Sequence, residues 1–421
     1  MSFHLDTLPN GLRIASEHLP HVHSAAFAVA VNVGARYADA ADGGISHLLE
    51  HMAFKGTPRL SAQAIAETFD LMGGNVNAYT SHEHTVYYAK VLKEYADDAL
   101  ALLLEIVRDS HFEEAELERE RQVILQEIAM HEDSPDDLVF DLFQETAFAN
   151  QPLGRSILGT PKRVASFSRE DLVRYTAQHY VPNRMVIAAA GAIDHAAVCK
   201  RAEAMLGDKT LPAQPATMQT ARYTGGVHLR EKELEQVQFA LGFEGCASGH
   251  ADYYALQLFS TILGGGMSSR LFQEIREKRG LAYSVSSYVA GYQDTGLLGI
   301  YAGTNASQLP SLMAGLHEVL GSMQEGVTAQ ELLRAKNQMK ASIVMTRESV
   351  GSIAEWMARH LHVYGRYKMA EEILAAIDAV SADDMVRMAQ HYLGATRVPT
   401  LTVLGEVADF HAEEAQRALC A

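Results

Sequence analysis

Cysteine is scarce in this chain of 421 residues, which has three cysteines, Cys199, Cys246 and Cys420. Their number is odd and they show no metal-ligand spacing, which argues against a disulfide framework and fits a reducing compartment. Long apolar runs are also missing, so no segment is predicted to span a bilayer. The first residues lack the basic segment and apolar run of a secretory signal. We therefore expect an unprocessed, cytoplasmic protein with no membrane partner.

Positive charge is in deficit as well, with 35 lysines and arginines against 52 acidic residues and a formal net charge of -17. Nucleic-acid binding requires clustered cations that contact phosphate groups, so we expect no nucleic-acid partner. The acidity suits a soluble protein that attracts basic ligands. The chain is too long for one ordinary domain, and 48% of its residues are hydrophobic, which is enough for more than one core.

The most informative stretch is residues 43–52, which have a helical pattern around the sequence HLLEH at residues 47–51. Residues four apart share a helix face, so His47 and His51 can offer two imidazole nitrogens to one metal ion, and Glu50 borders that face. Zinc-dependent hydrolysis needs neutral nitrogen ligands beside a carboxylate. The order His-x-x-Glu-His is the inverzincin signature. The alternative is an amphipathic helix whose histidines only contact polar neighbours, and deciding between the two requires a third ligand.

A long, charged helix is predicted at residues 113–131, and most of its acidic side chains are interpreted as a solvated face. Glu120 and Glu127 are an exception because they are seven residues apart, two turns along one face. The apolar residues Val123, Ile124 and Leu125 lie between them. This part of the helix is therefore not predicted to face solvent alone.

An internal repeat divides the chain. Residues 173–180 (VRYTAQHY) recur as residues 386–392 (VRMAQHY), and each copy leads into a short apolar strand. Residues 211–226 contain prolines and glycines and are the best linker candidate. We predict an α+β protein of two homologous halves, a metal-binding domain at 1–210 and a second domain at 227–421. The second half has no HxxEH sequence, so only the first would bind metal.

Together these motifs resemble the M16 metallopeptidases, the family of pitrilysin, the insulin-degrading enzymes and the mitochondrial processing peptidase subunits. The most specific parts are HLLEH, ERQVILQE at 120–127, GGGMSSRL at 264–271 and REKRGLAY at 276–283. The similarity runs nearly end to end, and it is greatest to the processing-peptidase-like M16B branch. It implies two homologous α/β-sandwich halves of the LuxS/MPP-like metallohydrolase type that form a clamshell.

The resemblance also implies a metal site with one Zn²⁺ per chain. The family's third zinc ligand is a glutamate on a long downstream helix, which Glu127 matches, so that His47, His51 and Glu127 are the expected ligands. Glu120 matches a second acidic residue of that helix, which supports the site by orienting a ligand imidazole. Glu50 resembles the general base.

Two further groups are implied to contact substrate. Asn77, Ala78 and Tyr79 match the family's edge strand, to which an extended peptide adds as another strand. Without the resemblance these residues would be interpreted as an ordinary hairpin strand. Arg276 and Tyr283 match a pair that reaches substrate near the zinc and holds a carbonyl or developing oxyanion. Their alternative is a helix-end arginine and a strand tyrosine in core contacts.

The implied function is a zinc metalloendopeptidase that cleaves peptides or unfolded polypeptide segments in an enclosed chamber. The family's shorter members pair, so we expect a homodimer, with a heterodimer of related M16 subunits left open. The alternative function is a non-catalytic scaffold or peptide-binding subunit of an M16-type hetero-oligomer. The intact HLLEH sequence and Glu127 argue against that alternative.

Overall fold

A computed structural model of the protein describes residues 2–211, 217–394, 398–408 and 410–411. Cys199 and Cys246 are free thiols, and Cys420 lies outside the described residues. Within these residues no helix combines the length and apolar character that crossing a membrane requires.

The chain forms two compact units, and each is assembled from three separate segments. The first unit comprises Met1–Ala129, Arg155–Gln219 and Val344–Lys368, and the second comprises Met130–Gly154, Thr220–Ile343 and Met369–Ala421. The units therefore differ from the contiguous division 1–210 and 227–421, since residues 130–154 belong with the second unit and 344–368 with the first. The change of unit after Gln219 falls inside the predicted linker 211–226.

The first unit is built on a six-stranded mixed sheet in the order β1-β2-β6-β3-β5-β4. The β2–β6 pair is parallel and the other neighbours are antiparallel. The strands are β1 (Ser2–Thr7), β2 (Arg13–His18), β3 (Ser24–Val31), β4 (Asn75–Thr80), β5 (Thr85–Leu92) and β6 (Met185–Gly191). The edges of the sheet are β1 and β4, and β4 carries the predicted substrate-binding residues.

Helices cover both faces of this sheet. They are α1 (Ile45–Ala53), α2 (Ala62–Leu71), α3 (Ala96–Arg108), α4 (Glu114–Glu132), α6 (Pro161–Ser166), α7 (Arg169–His179), α8 (His195–Leu206) and α12 (Val350–Tyr364). Alternation along β3 explains the two layers, because successive side chains point to opposite faces. Phe27 and Val29 join the main core with α1 and α3, whereas Ala26 and Ala28 lie against α12. The small alanine side chains allow that helix to approach closely.

The second unit has a five-stranded sheet in the order β7-β11-β8-β10-β9. Its strands are β7 (Gly226–Glu231), β8 (Val237–Glu244), β9 (Ala282–Gly291), β10 (Gly296–Thr304) and β11 (Thr400–Gly405). Its helices are α5 (Pro135–Ala147), α9 (Tyr253–Gly264), α10 (Leu309–Gln324), α11 (Ala329–Thr346), α13 (Ala370–Ala379), α14 (Ala382–Tyr392) and a π-helical segment, Phe272–Lys278. The parallel pair here is β7–β11. Without β1, the first sheet has the same strand order as the second, and its parallel pair occupies the same position. This shared topology confirms the predicted pair of homologous α+β halves.

The repeated sequences occupy equivalent places in the two units. Both α7 and α14 begin with a capping box, formed by Ser168 with Asp171 and by Ser381 with Asp384. From α7, Arg174 reaches Asp42 before α1, and from α14, Arg387 reaches Asp252 before α9. Helix α9 is thus the counterpart of α1, and it carries no histidine.

Candidate metal centre

Helix α1 presents two histidines on one face because its other face is firmly packed. Ile45, Leu48, Leu49 and Met52 are buried in the core of the first unit. The helix starts after Gly44, whose φ of +95° favours glycine and where a Cβ would lie 2.9 Å from the Cα of Gly159. This close packing fixes where the helix begins.

The long helix α4 supplies the carboxylates that face α1. Ile124 is fully buried and Leu125 packs against the same core, whereas Val123 is 45% exposed. Glu120, one turn before Ile124, is buried, and Glu127 lies two turns beyond Glu120 with its side chain 42% exposed. The helix is therefore partly inserted in the core, as the apolar residues between the two glutamates indicate.

The predicted ligands converge. His47 Nε2 lies 3.6 Å from Glu127 Oε2, and His51 Nε2 lies 3.7 Å from the same oxygen. One ligand atom of each residue lies within 4.8 Å of the others. Tetrahedral zinc with ordinary bond lengths sets nitrogen and oxygen ligands roughly 3.3 Å apart. The donor set and its spacing therefore fit one zinc ion after a small contraction, with the exposed side of Glu127 left open to solvent.

His51 is oriented through its other ring nitrogen. His51 Nδ1 lies 3.0 Å from Glu120 Oε2, and Lys55 Nζ donates to Glu120 Oε1 at 2.6 Å. A carboxylate on Nδ1 fixes the tautomer that leaves Nε2 available as a ligand. Burial by itself would raise the pKa of Glu120, but the hydrogen bonds from Lys55 and His51 lower it overall, so the carboxylate is charged.

His47 is more deeply enclosed. Burial and the neighbouring His51 lower the pKa of His47 to about 4, so its imidazole is neutral. Its Nδ1 is buried and has no hydrogen-bond partner among the described residues. The neutral form is the one that binds a metal ion, and Nε2 is the nitrogen that faces Glu127.

Glu50 lies beside these ligands without belonging to them. Its Oε2 accepts a 2.6 Å hydrogen bond from Thr80 Oγ1, at the end of the edge strand β4. Burial raises the pKa of Glu50, and nearby Glu127 raises it further, while the Thr80 hydrogen bond lowers it in part. General-base catalysis is most efficient when the pKa of the base approaches the working pH. A raised pKa therefore makes the Glu50 carboxylate a better proton acceptor.

The predicted substrate strand lies at a sheet edge. Asn77, Ala78 and Tyr79 are in β4, which pairs with β5 on one side only. Ala78 N–H donates to Asn77 Oδ1 at 2.9 Å, so a peptide that pairs with this N–H would have to displace that side chain.

Arg276 and Tyr283 form a pair within the second unit. The Arg276 guanidinium lies 4.7 Å from the centroid of the Tyr283 ring and 4.6 Å from that of Phe272. Tyr283 is 73% exposed, and Arg276 lies 3.9 Å from Glu277. The pair is therefore not in a packed core, which was the alternative interpretation of these residues.

Sequence reasoning missed two residues of the centre. Lys55 follows His51 by four residues, although the structure places it just beyond the end of α1. Its role depends on Glu120, a distant residue in the chain. Thr80 adjoins the predicted strand residues, but nothing in the sequence links it to Glu50. Both contacts are made only when the chain folds.

Known protein families match most of the chain. The family described as "Insulinase (Peptidase family M16)" matches residues 13–161, and the one described as "Peptidase M16 inactive domain" matches residues 166–339. The second match agrees with the structure, because the described part of the second unit holds no cluster of three metal-ligating side chains.

Individual relatives match nearly end to end. An uncharacterized zinc protease of Rickettsia bellii is 42% identical over 96% of this chain and 98% of its own. A probable mitochondrial-processing peptidase subunit beta of Arabidopsis thaliana is 38% identical over 92% of this chain and 75% of its own. The crystal structure of a Helicobacter pylori protease superposes with a TM-score of 0.89 at 25% identity, over 96% of this chain and 99% of that one. The chain belongs to the M16 peptidase family.

Proposed function

We propose that this protein is a zinc-dependent endopeptidase that cleaves peptides or unfolded polypeptide segments. The observation that carries the proposal is the convergence of His47, His51 and Glu127 beside the buried carboxyl of Glu50. Relatives that match over nearly the whole chain bear the name zinc protease, which supports the same activity.

In this proposal His47 Nε2, His51 Nε2 and a Glu127 oxygen hold one Zn²⁺. Bound zinc would act as a Lewis acid that activates water and polarises a peptide carbonyl. Glu50 accepts the proton that water loses and later delivers it to the leaving amine. Thr80 holds the Glu50 carboxylate in place through its hydrogen bond. Glu120, itself held by Lys55, keeps His51 in the tautomer that ligates through Nε2.

Substrate would bind along β4. An extended peptide that adds to this edge gains backbone hydrogen bonds with little regard to its sequence. Asn77, Ala78 and Tyr79 are the contacts in this proposal. Because Thr80 ends the same strand and bonds Glu50, a peptide on β4 is aligned with the residue that transfers protons.

The remaining roles follow from the family resemblance. Arg276 and Tyr283 would hold a substrate carbonyl or the oxyanion, and their exposure leaves both side chains available for that contact. The homodimer or related heterodimer, the enclosed chamber and the cytoplasmic location stay predictions.

The test is a metal-dependence experiment on a mixed peptide library. Purified protein is treated with a chelator, dialysed, and divided into samples with and without restored zinc. We expect internal cleavage of many peptides by mass spectrometry, loss of these products on chelation, and recovery when zinc is restored. A zinc-loaded protein that binds peptides but yields no products would instead support the scaffold or peptide-binding alternative. Cleavage that chelation leaves untouched would reject zinc dependence.

A further inference from the structure

A second group of metal-ligating side chains lies elsewhere in the first unit. Asp6 is on the edge strand β1, and His195 and Cys199 are on α8. The two α8 residues are four apart, so they share one helix face and both point at Asp6. One ligand atom of each residue lies within 4.8 Å of the others. The three residue types supply one nitrogen, one sulfur and one oxygen.

The distances between these atoms match the edges of a zinc tetrahedron. His195 Nε2 lies 3.2 Å from Asp6 Oδ2, Cys199 Sγ lies 3.4 Å from His195 Nε2, and Cys199 Sγ lies 3.7 Å from Asp6 Oδ2. Ordinary zinc bonds to nitrogen, oxygen and sulfur predict roughly 3.3 Å for the first edge and 3.6 Å for the edges that include sulfur. The ligand atoms of this cluster therefore need to move less to bind zinc than those of His47, His51 and Glu127 in the candidate metal centre.

His195 is held in the orientation that a ligand requires. Its Nδ1 forms a 2.8 Å hydrogen bond with the hydroxyl of Ser16 on β2, a fully buried residue. Nδ1–H donating to Ser16 is the tautomer that leaves the Nε2 lone pair directed at Asp6 and Cys199. Metal-binding histidines commonly have such a partner on the other nitrogen. The ring of His4 stacks on that of His195, with centroids 5.2 Å apart, and adds a further restraint.

Two other interpretations of the cluster can be compared with this geometry. A reactive thiol is disfavoured, because burial and the nearby Asp6 raise the pKa of Cys199 to about 11, whereas reactive cysteines have a lowered pKa. A plain hydrogen-bonded contact between β1 and α8 would make the same contacts without metal. The mixed donor set and the tetrahedral spacing favour a metal site. Binding of a metal ion by these three residues would distinguish it from a plain hydrogen-bonded contact.

We propose that Asp6, His195 and Cys199 bind a second transition-metal ion, Zn²⁺ or a divalent ion of similar preference, separate from the ion of the candidate metal centre. Binding releases the Cys199 thiol proton to solvent and leaves a thiolate ligand. The exposed side, next to Asp6, leaves a fourth position for water. The ion would connect Asp6 to His195, which are 189 residues apart in sequence, and would so hold the edge strand β1 against α8.

Cobalt substitution distinguishes this site from the other. The full-length protein is stripped with a chelator, and Co²⁺ is added as the probe. A thiolate ligand gives Co²⁺ an intense charge-transfer band in the near ultraviolet, which a site of two histidines and a glutamate does not give. We expect this band in the wild type, its loss in Cys199→Ser and His195→Gln, and its retention in Cys246→Ala and Cys420→Ser.

The total metal content of each variant gives an independent test. Elemental analysis should find one ion fewer per chain in Cys199→Ser than in the wild type, a difference that holds whether or not the candidate metal centre contains zinc. Circular dichroism of each variant confirms that it is folded. Absence of the charge-transfer band in cobalt-saturated wild type, or a band that Cys199→Ser keeps, would overturn the proposal. Equal total content of divalent transition metals in wild type and Cys199→Ser would do the same.

Discussion

Thr80 Oγ1 donates a 2.6 Å hydrogen bond to Glu50 Oε2, which joins the last residue of β4 to the carboxyl beside the two histidines. This hydrogen bond connects β4, the proposed substrate strand, to α1, which carries the proposed proton acceptor Glu50. Thr80 is not a ligand and is not expected to touch the metal, so its effect can be measured separately from metal binding.

Replacing Thr80 by valine tests this connection. Thr80→Val keeps the shape of the side chain and removes the donor, so zinc content should be unchanged. A hydrogen bond to a charged group contributes roughly 1.5–3 kcal/mol, and kcat should therefore fall by about 10-fold or more, with a smaller change in KM. Thr7→Val, on the opposite edge strand β1, is the matched control. Wild-type kcat in Thr80→Val would mean that Glu50 is positioned without this contact.

The two glutamates of α4 should respond differently to the same substitution. Glu127→Gln should weaken zinc binding strongly, because this carboxylate lies between both histidine nitrogens. Glu120→Gln should cost about 10–100-fold in affinity or activity, the usual scale for a residue that orients a ligand. Equilibrium titration with a competing chelator measures both. If Glu120→Gln empties the site while Glu127→Gln leaves it filled, the two assignments are reversed.

Arg276 and Tyr283 should affect turnover without affecting metal content. Tyr283→Phe keeps the ring beneath the guanidinium and removes the hydroxyl alone, whereas Arg276→Ala removes the cation. Losing one oxyanion donor typically costs about 10²–10³-fold in kcat, and losing an exposed cation–π contact costs only about 0.5–1 kcal/mol of stability. We expect cleavage to fall by roughly 10²-fold or more while zinc content and Tm stay close to wild type. Lys278→Ala, a neighbour with an exposed side chain, is the control. Wild-type kcat in both variants would reduce this pair to a surface feature.

The pair of Arg270 and Glu331 gives the second unit a pH-dependent stability. Hydrogen bonds from Arg270 and from the Thr328 backbone and hydroxyl lower the pKa of Glu331 to about 2 from an ordinary 4.5. Because the folded-state pKa is lowered, this stabilisation is complete above pH 4.5 and is lost as the pH falls towards 2. Glu331→Gln should therefore lower the urea midpoint at pH 7, with the difference from wild type shrinking by pH 3.5. The exposed Glu325→Gln is the control, and a difference that grows on acidification would contradict the assignment.

Local patterns predicted much of the centre. The four-residue spacing of His47 and His51 and the seven-residue spacing of Glu120 and Glu127 each describe one helix face, and both helices form. The predicted strand that carries Asn77 is found as β4, which forms a hairpin with β5. The family resemblance then supplied the choice of Glu127 as third ligand.

Contacts between distant residues were not predictable in the same way. The assignment of α5 to the second unit and of α12 to the first depends on which apolar faces meet, and neighbouring sequence does not specify that. The Cys199 cluster was overlooked because the cysteines show no metal-ligand spacing among themselves, and Asp6 is far away in the chain. The four-residue spacing of His195 and Cys199 was the local signal, and it acquires meaning only when β1 is placed beside α8.

Substitution of Glu50 tests the proposed activity most directly. Glu50→Gln preserves size and can still accept the Thr80 hydrogen bond, but it cannot take a proton from water. The measurement is zinc content by elemental analysis together with steady-state cleavage of one unstructured peptide, in wild type and Glu50→Gln. We predict equal zinc content and a loss of turnover of at least about 10²–10⁴-fold, the scale of general-base catalysis. A zinc-loaded Glu50→Gln protein with wild-type turnover would contradict the assignment of Glu50 as the base.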